Sequence, residues 1–281
     1  MTVIKKLIKF IFDVISRSVK DSIGAYSAHA AFFMTVSFIP LIMLLISMIK
    51  FFPAEEAHLL SQIVSVFPKG AQGLVSSLIT EAYDKSGTAV ISITAVSTLW
   101  AASIGVFSLV RGLNRVYCAD ETRNYIVLRF MSMIYTLLVL VLLVLCLGFL
   151  VFGNTIAEGL IRLVPRFFNV ALIVLSLRMI VGIAVLSAFF LLMYTIVPNR
   201  KVRLFSQLPG ALVSGIGWAG FSAVFSYYYE NLADYSYVYG SLSVLVFFML
   251  WLFFCIYILF IGAEVNKCIE DSVERAALFS H

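Results

Sequence analysis

The sequence predicts an all-α integral membrane protein with six transmembrane helices and both termini in the cytoplasm. Three observations predict it. Of the 281 residues, 62% are hydrophobic and only 12% are charged, against about 25% charged in soluble domains. So few polar residues would leave large exposed apolar patches in water. Six stretches of about 20 residues carry no Asp, Glu, Lys or Arg, the length that crosses a bilayer core of about 30 Å as helix. They do not alternate in polarity, which sets them apart from barrel strands. Helices are then the way to pair every backbone group inside lipid.

The chain opens on Val3–Val19, where Val3, Leu7, Phe10, Ile11, Val14 and Ile15 share one side and the lysines lie largely on the other. That pattern predicts an interfacial amphipathic helix. Span one is Ala30–Ile49 and contains Pro40, which removes a backbone donor and can kink the helix. The outer connection Lys50–Gly87 is semi-apolar and predicts short helices at His58–Phe67 and Ala71–Ala82, broken by Pro68 and Gly70. Span two, Thr88–Val110, begins a stripe of small residues at Thr94, Thr98, Ala101, Gly105, Ser108 and Gly112. Such a stripe lets helix backbones approach closely, or lines a polar cavity. Span three is Phe130–Gly153 and is almost entirely Leu and Val over Leu137–Leu147, as suits a lipid-facing helix. Span four is Met179–Val197, with a start near Val170 as the alternative, in which Arg178 snorkels. Span five, Leu208–Tyr229, carries Gly210, Ser214 and Gly217 on one face and Gly215, Ala219 and Ser222 on another, which places it inside the bundle with span two. Span six is Ser241–Ala263. The whole of 1–281 reads as one membrane domain.

Charge sets the orientation. Lys5, Lys6, Lys9, Arg17 and Lys20 precede span one. Arg111, Arg115, Arg123 and Arg129 follow span two, Arg200, Lys201 and Arg203 follow span four, and Lys267 and Arg275 follow span six. Fourteen of the 20 basic residues thus lie on one side, and the positive-inside rule puts that side in the cytoplasm. The net charge of +5 is therefore a topology signal rather than a sign of nucleic-acid binding.

Glu264 closes span six within Gly262-Ala263-Glu264-Val265-Asn266. A carboxylate at that depth costs a few kcal/mol unless paired or hydrated. Arg111 and Arg115 lie at a similar depth on span two, so a Glu264–Arg111 or Glu264–Arg115 pair is expected, with substrate or proton coupling as the alternative role. Ser103, Asn114 and Asn266 are further polar candidates. The outer connection Glu230–Gly240 holds Asp234, Tyr235, Tyr237 and Tyr239 without a basic residue. It reads as an aromatic belt or as a rim for a lipid headgroup or sugar.

No catalytic or metal motif emerges. His29, His58 and His281 are too scattered for a ligand cluster. Cys118, Cys146, Cys255 and Cys268 form no CxxC pair. There is no GxxxxGK[ST], HExxH or GxSxG. No cofactor is expected, and the sequence sets no oligomeric state.

The chain resembles the YihY/BrkB family of bacterial envelope proteins. The residues that carry the likeness run through most of the chain. They are Ala30-Ala31-Phe32 with Ser37-Phe38-Ile39-Pro40, Trp100-Ala101-Ala102-Ser103, Leu113-Asn114 and Tyr117. Pro209-Gly210-Ala211 with Trp218 and Tyr228 follow, then Tyr235, Tyr239-Gly240-Ser241-Leu242, Trp251 and Gly262-Ala263-Glu264-Val265-Asn266. Val265 departs from the pattern, where the family often has Leu. The resemblance implies a six-span inner-membrane protein concerned with envelope integrity, some members resembling transporters of lipids or lipid precursors. Membrane lipids and an envelope protein are the expected partners. The family has also carried a ribonuclease label. It is set aside here, because metal-assisted RNA hydrolysis needs clustered His and Asp ligands. The expected function is transport of an amphiphilic envelope component, with a non-transporting structural or assembly role as the alternative and an intramembrane enzyme the weakest reading.

Overall fold

The computed structural model describes residues 2–49, 72–73, 76–77, 88–138, 178–231 and 241–278, which are predominantly helical with no strand among them. The helices are α1 (Thr2–Lys20), α2 (Ile23–Ile49), α3 (Thr88–Val116), α4 (Tyr125–Leu138), α5 (Arg178–Ile196), α6 (Leu208–Asn231) and α7 (Ser241–Leu278), with a 3-10 turn at Leu204–Gln207. Among the described residues three segments are long and apolar enough to cross a membrane: Val96–Val116, Leu204–Tyr229 and Leu245–Arg275. Tyr125–Leu138 and Gly182–Ile196 are shorter apolar helices.

Local chemistry sets several boundaries. α5 stops just before Pro198, consistent with the bias of a pre-proline residue away from helix. Pro209 sits in the first turn of α6, where its missing N–H costs little. α3 ends in a Schellman motif. The Ala119 N–H donates to the Asn114 carbonyl at 2.8 Å and the Cys118 N–H to the Arg115 carbonyl at 3.1 Å. Cys118 takes the left-handed position (φ 51°) where glycine is usual. Ser22 (φ 55°) turns the chain in the same way between α1 and α2.

The helices run further than the apolar spans alone. The helix that carries span six does not end at Ala263. α7 runs on to Leu278 as one helix of 38 residues, about 57 Å at 1.5 Å per residue. That exceeds the roughly 30 Å of a bilayer core, and the Gly262–Asn266 segment lies within the helix rather than at its end. α2 ends at Ile49, the expected end of span one, and passes Pro40 as one helix, but it begins earlier, at Ile23. The helical residues 72–73 and 76–77 fall within the expected Ala71–Ala82 helix. The rest of that helix, His58–Phe67, the start of span four near Val170 and the 139–153 part of span three lie outside the described residues.

The bundle is held by close backbone approach. α3 lies along α2, with Gly105 against the Ala30 carbonyl and Met34, and Gly112 against Tyr26 of α2 and Phe260 of α7. A Cβ on either glycine would collide with these neighbours. Ser108 Oγ adds a bond to the Tyr26 carbonyl at 3.0 Å. The small-residue stripe of span two is thus a packing seam, with Thr98 and Ser108 buried along it. This is how membrane helices associate when lipid gives no hydrophobic drive.

α6 is different from the expectation of an inside helix. Its Gly210–Ser214 face packs on Gly262 of α7 and its Gly215 face on Ser187 of α5, but Leu212, Val213, Ile216 and Val224 are exposed. Glycine is needed on α6 for two contacts at its flanks, not because lipid is excluded all round. Ile134, Leu137 and Leu138 of α4 are exposed, in line with a lipid-facing span three. α1 docks on α7 through Val14, Val265 and Cys268, while Ile8, Ile11, Phe12, Ile15 and Val19 stay exposed.

Candidate functional site

Two polar constellations stand out. One is a buried clamp joining α3, α6 and α7 beside the loop after α5. Asn266 is its centre. Its Oδ1 accepts from the Gly210 N–H at 2.7 Å, and its Nδ2 donates to the Gln207 carbonyl at 3.1 Å and to Tyr117 Oη at 3.4 Å. Tyr117 Oη donates to Gln207 Oε1 at 2.8 Å. Arg200 lies over the Tyr117 ring, 3.8 Å from its centroid, and grips Glu270 at 2.8 and 3.1 Å. Deeper, Tyr194 Oη donates to the Leu259 carbonyl at 2.6 Å and pairs with Ser214 Oγ at 2.7 Å.

Asn114 belongs to the edge of this clamp. Its Oδ1 accepts from the Asn199 N–H at 2.8 Å and its Nδ2 donates to Glu121 Oε2 at 2.6 Å. Arg123 donates to both Glu121 oxygens at 2.7 Å, and these bonds, Arg123 first, hold the Glu121 carboxyl below the usual carboxylate range. The chemistry is that of a bracket: each residue named here is tied to another across the joint.

The expected pairing of Glu264 with Arg111 or Arg115 does not occur. Arg115 Nε lies 3.2 Å from Asp21 Oδ1. Asp21 reaches it because the chain turns at Ser22 and carries the α1–α2 junction against the end of α3. Arg111 is exposed, with its guanidinium 5.7 Å from the Phe107 centroid. Glu264 is fully buried (0% exposed), and neither of its oxygens accepts a hydrogen bond among the described residues. Arg17, a cation at the same end of the molecule, is bound instead to Asp271 at 2.6 Å.

The second constellation is a groove of about 480 Å³ between α2, α3 and α4. Ala25, Tyr26 and His29 line it from α2, Trp100, Ile104, Phe107, Ser108 and Arg111 from α3, and Tyr125 and Arg129 from α4. On α3, positions 100, 104, 107 and 111 share one face. Arg129 lies over the Trp100 ring at 4.6 Å and donates to the Trp100 carbonyl at 3.3 Å. Tyr125 meets Phe107 edge-on at 5.8 Å. Trp100 and Tyr125 are exposed, so the groove opens at the protein surface. Ser103, by contrast, is buried and spends its hydroxyl on the Trp100 carbonyl at 2.8 Å.

The candidate positions therefore separate. Asn114 and Asn266 meet in the clamp region, Arg111 lines the groove, Arg115 is in an ion pair, Ser103 is tied to its own helix and Glu264 is buried apart from both arginines. Tyr239 and the side chain of Pro40 lie outside the described residues. The sequence reading missed Tyr194, Asn199, Arg200, Gln207 and Glu270 as site residues, and counted Arg129 only as a loop charge. A signal existed for Arg129: it borders an apolar span rather than sitting in mid-loop. Among the described residues no three His, Cys, Asp or Glu side chains gather to hold a metal.

Fold and site together define an all-helical membrane protein with a packed polar clamp and a lateral basic–aromatic groove. The chain belongs to the BrkB family: the family described as "Virulence factor BrkB" matches residues 14–279. It is 29% identical over 265 residues to the "Putative ribonuclease-like protein YfkH" of Bacillus subtilis (strain 168), covering 93% of this chain and 95% of that one. It is 25% identical to a "UPF0761 membrane protein" of Pseudoalteromonas atlantica, over 89% of this chain and 82% of the relative. A UPF0761 membrane protein of Alteromonas mediterranea is also 25% identical, over 93% and 87% respectively. No solved structure matches the chain.

Proposed function

We propose that this protein is a six-span transporter of the bacterial inner membrane, N-in and C-in, that moves a lipid or another amphiphilic envelope component. The whole chain forms one membrane domain in this reading. The observation that carries it is the groove between α2, α3 and α4, where His29, Arg111 and Arg129 stand among Tyr26, Trp100, Phe107 and Tyr125 on an exposed face. An amphiphile crossing a bilayer needs a polar track for its headgroup with access for its tails, and a surface groove of this composition supplies both. The ribonuclease-like name belongs to the Bacillus relative and is not carried to this chain.

The test is reconstitution into vesicles holding headgroup-labelled lipids of several classes, with the label on the outer leaflet reduced chemically. Transport predicts that a larger fraction of label becomes accessible than in protein-free vesicles. Equal accessibility for every class counts against the reading. Topology is tested by a membrane-impermeant maleimide on Cys118, which is exposed, after the other three cysteines are replaced by serine. Labelling in intact cells would reverse the orientation.

A structural or assembly role is the second reading. It is favoured by the glycine seams at Gly105, Gly112, Gly210 and Gly262, which fix helices face to face.

A further inference from the structure

The charges at the basic end of the molecule differ in their partners. Arg17, Arg115, Arg123 and Arg200 pair with Asp21, Glu121, Glu270 or Asp271, and Lys267 with Glu270 and Asp271. Arg111 and Arg129 pair with no carboxylate among the described residues, and no Asp or Glu lines their groove. Each lies instead against an aromatic face, Arg111 on Phe107 and Arg129 on Trp100. Arg129 spends one N–H on the Trp100 carbonyl, and the remaining donors of the two guanidiniums suit a phosphate or another anion.

Depth makes Arg129 the more telling of the two. Its side chain reaches Trp100, about one turn inside the apolar segment Val96–Val116. An arginine at membrane depth is costly without a partner. The Trp100 ring and carbonyl offset part of that cost, but neither cancels the charge. The α3 positions that frame the groove, Phe107 with Arg111 at one end and Trp100 at the other, span about 10 Å to 17 Å along the helix axis. The intervening surface is Ile104 with the edge of Tyr125, and the groove volume of about 480 Å³ is within the range of small-ligand sites.

We infer that the groove between α2, α3 and α4 seats a phospholipid with an anionic headgroup, its net negative charge facing Arg111 and Arg129. This deepens the transport reading by naming its substrate class and rests on the same groove. A lipid, rather than soluble phosphate, is the occupant because Trp100, Ile104 and Phe107 offer tails an apolar wall beside the cations.

The experiment is native mass spectrometry of the full chain, released from nanodiscs of equal phosphatidylglycerol and phosphatidylcholine. Wild type should retain phosphatidylglycerol about tenfold over phosphatidylcholine, because both carry a phosphate but the choline cation of the latter is repelled by Arg111 and Arg129 and cancels its net charge. Arg111→Gln combined with Arg129→Gln should abolish the preference, and Arg129→Gln alone should weaken it. Lys201→Gln, an exposed basic site away from the groove, should leave it intact. No preference in wild type overturns the inference, as does equal loss in the Lys201 variant. So does displacement of phosphatidylglycerol by inorganic phosphate alone, which would make the site one for free anions. No translocation is measured, so failed transport with retained lipid leaves this site standing while removing the transport reading.

Discussion

Replacing Asn266 by Ala should loosen the joint between α6 and α7. The side chain is 2% exposed and bonds the Gly210 N–H, the Gln207 carbonyl and Tyr117 Oη at 2.7, 3.1 and 3.4 Å. Gly210 is in the first turn of α6, where helical N–H groups lack partners of their own. Its acceptor is a side chain delivered from another helix, and alanine supplies none. Leaving that N–H buried and unpaired costs about 1–3 kcal/mol. The Gln207 carbonyl loses a bond worth about 1 kcal/mol. Tyr117 is nearly indifferent, because the contact at 3.4 Å is long and its bond to Gln207 Oε1 at 2.8 Å survives. The total is about 2–4 kcal/mol, roughly a 30- to 700-fold fall in the folded-to-unfolded ratio. Titration of bicelle-reconstituted protein with a denaturing detergent, followed by tryptophan fluorescence, measures it. A variant within about 0.5 kcal/mol of wild type would refute the assignment of Asn266 as the clamp.

Further outcomes follow from single positions. Gly262→Leu should prevent assembly of the α5–α6–α7 layer, because a Cβ there overlaps Ser214 Oγ, the Gly210 carbonyl and the Tyr194 hydroxyl. Gly220→Ala, with nothing within 4 Å of its Cβ position, should be neutral or gain up to about 1 kcal/mol, and the same detergent titration reports both. Cys118→Gly should stabilise by about 1 kcal/mol, since φ is 51° there and a left-handed β-carbon costs about that much; a loss of stability would show that the thiol has packing value. The lowered Glu121 carboxyl contributes stability that is complete above the ordinary glutamate pKa of about 4.3. That contribution disappears as pH falls through the depressed value set by Arg123. Glu121→Gln should remove this acid-side loss, worth about 1 kcal/mol or less for a partly solvated pair, and an unchanged acid limb of the stability profile would refute it.

Much of the architecture was legible in the chain. Hydropathy placed helices at 88–110, 179–197, 208–229 and 241–263, and the observed helices α3, α5, α6 and α7 cover them to within a residue. The amphipathic pattern placed α1, and the small stripe on span two marked the face that meets α2. These features are local or periodic, so burial and backbone pairing in lipid act on them without reference to the rest of the fold. The ends were less legible. α7 passes through Glu264 without a break, because no helix-stopping residue follows and the polar run beyond it remains a good helix former outside lipid.

Pairing was the part that sequence reasoning could not reach. Asp21 takes Arg115, Arg17 takes Asp271 and Arg200 takes Glu270. These are choices among several carboxylates at one depth, and depth is all that hydropathy conveys. Which carboxylate meets which cation depends on helix rotation and on the turn at Ser22, both set by contacts between helices distant in sequence. The same holds for Arg129. The sequence determined by itself that it borders a span. Only the packing of α4 beside α3 laid it over Trp100, because a guanidinium finds a ring face in lipid only where another helix brings one within reach.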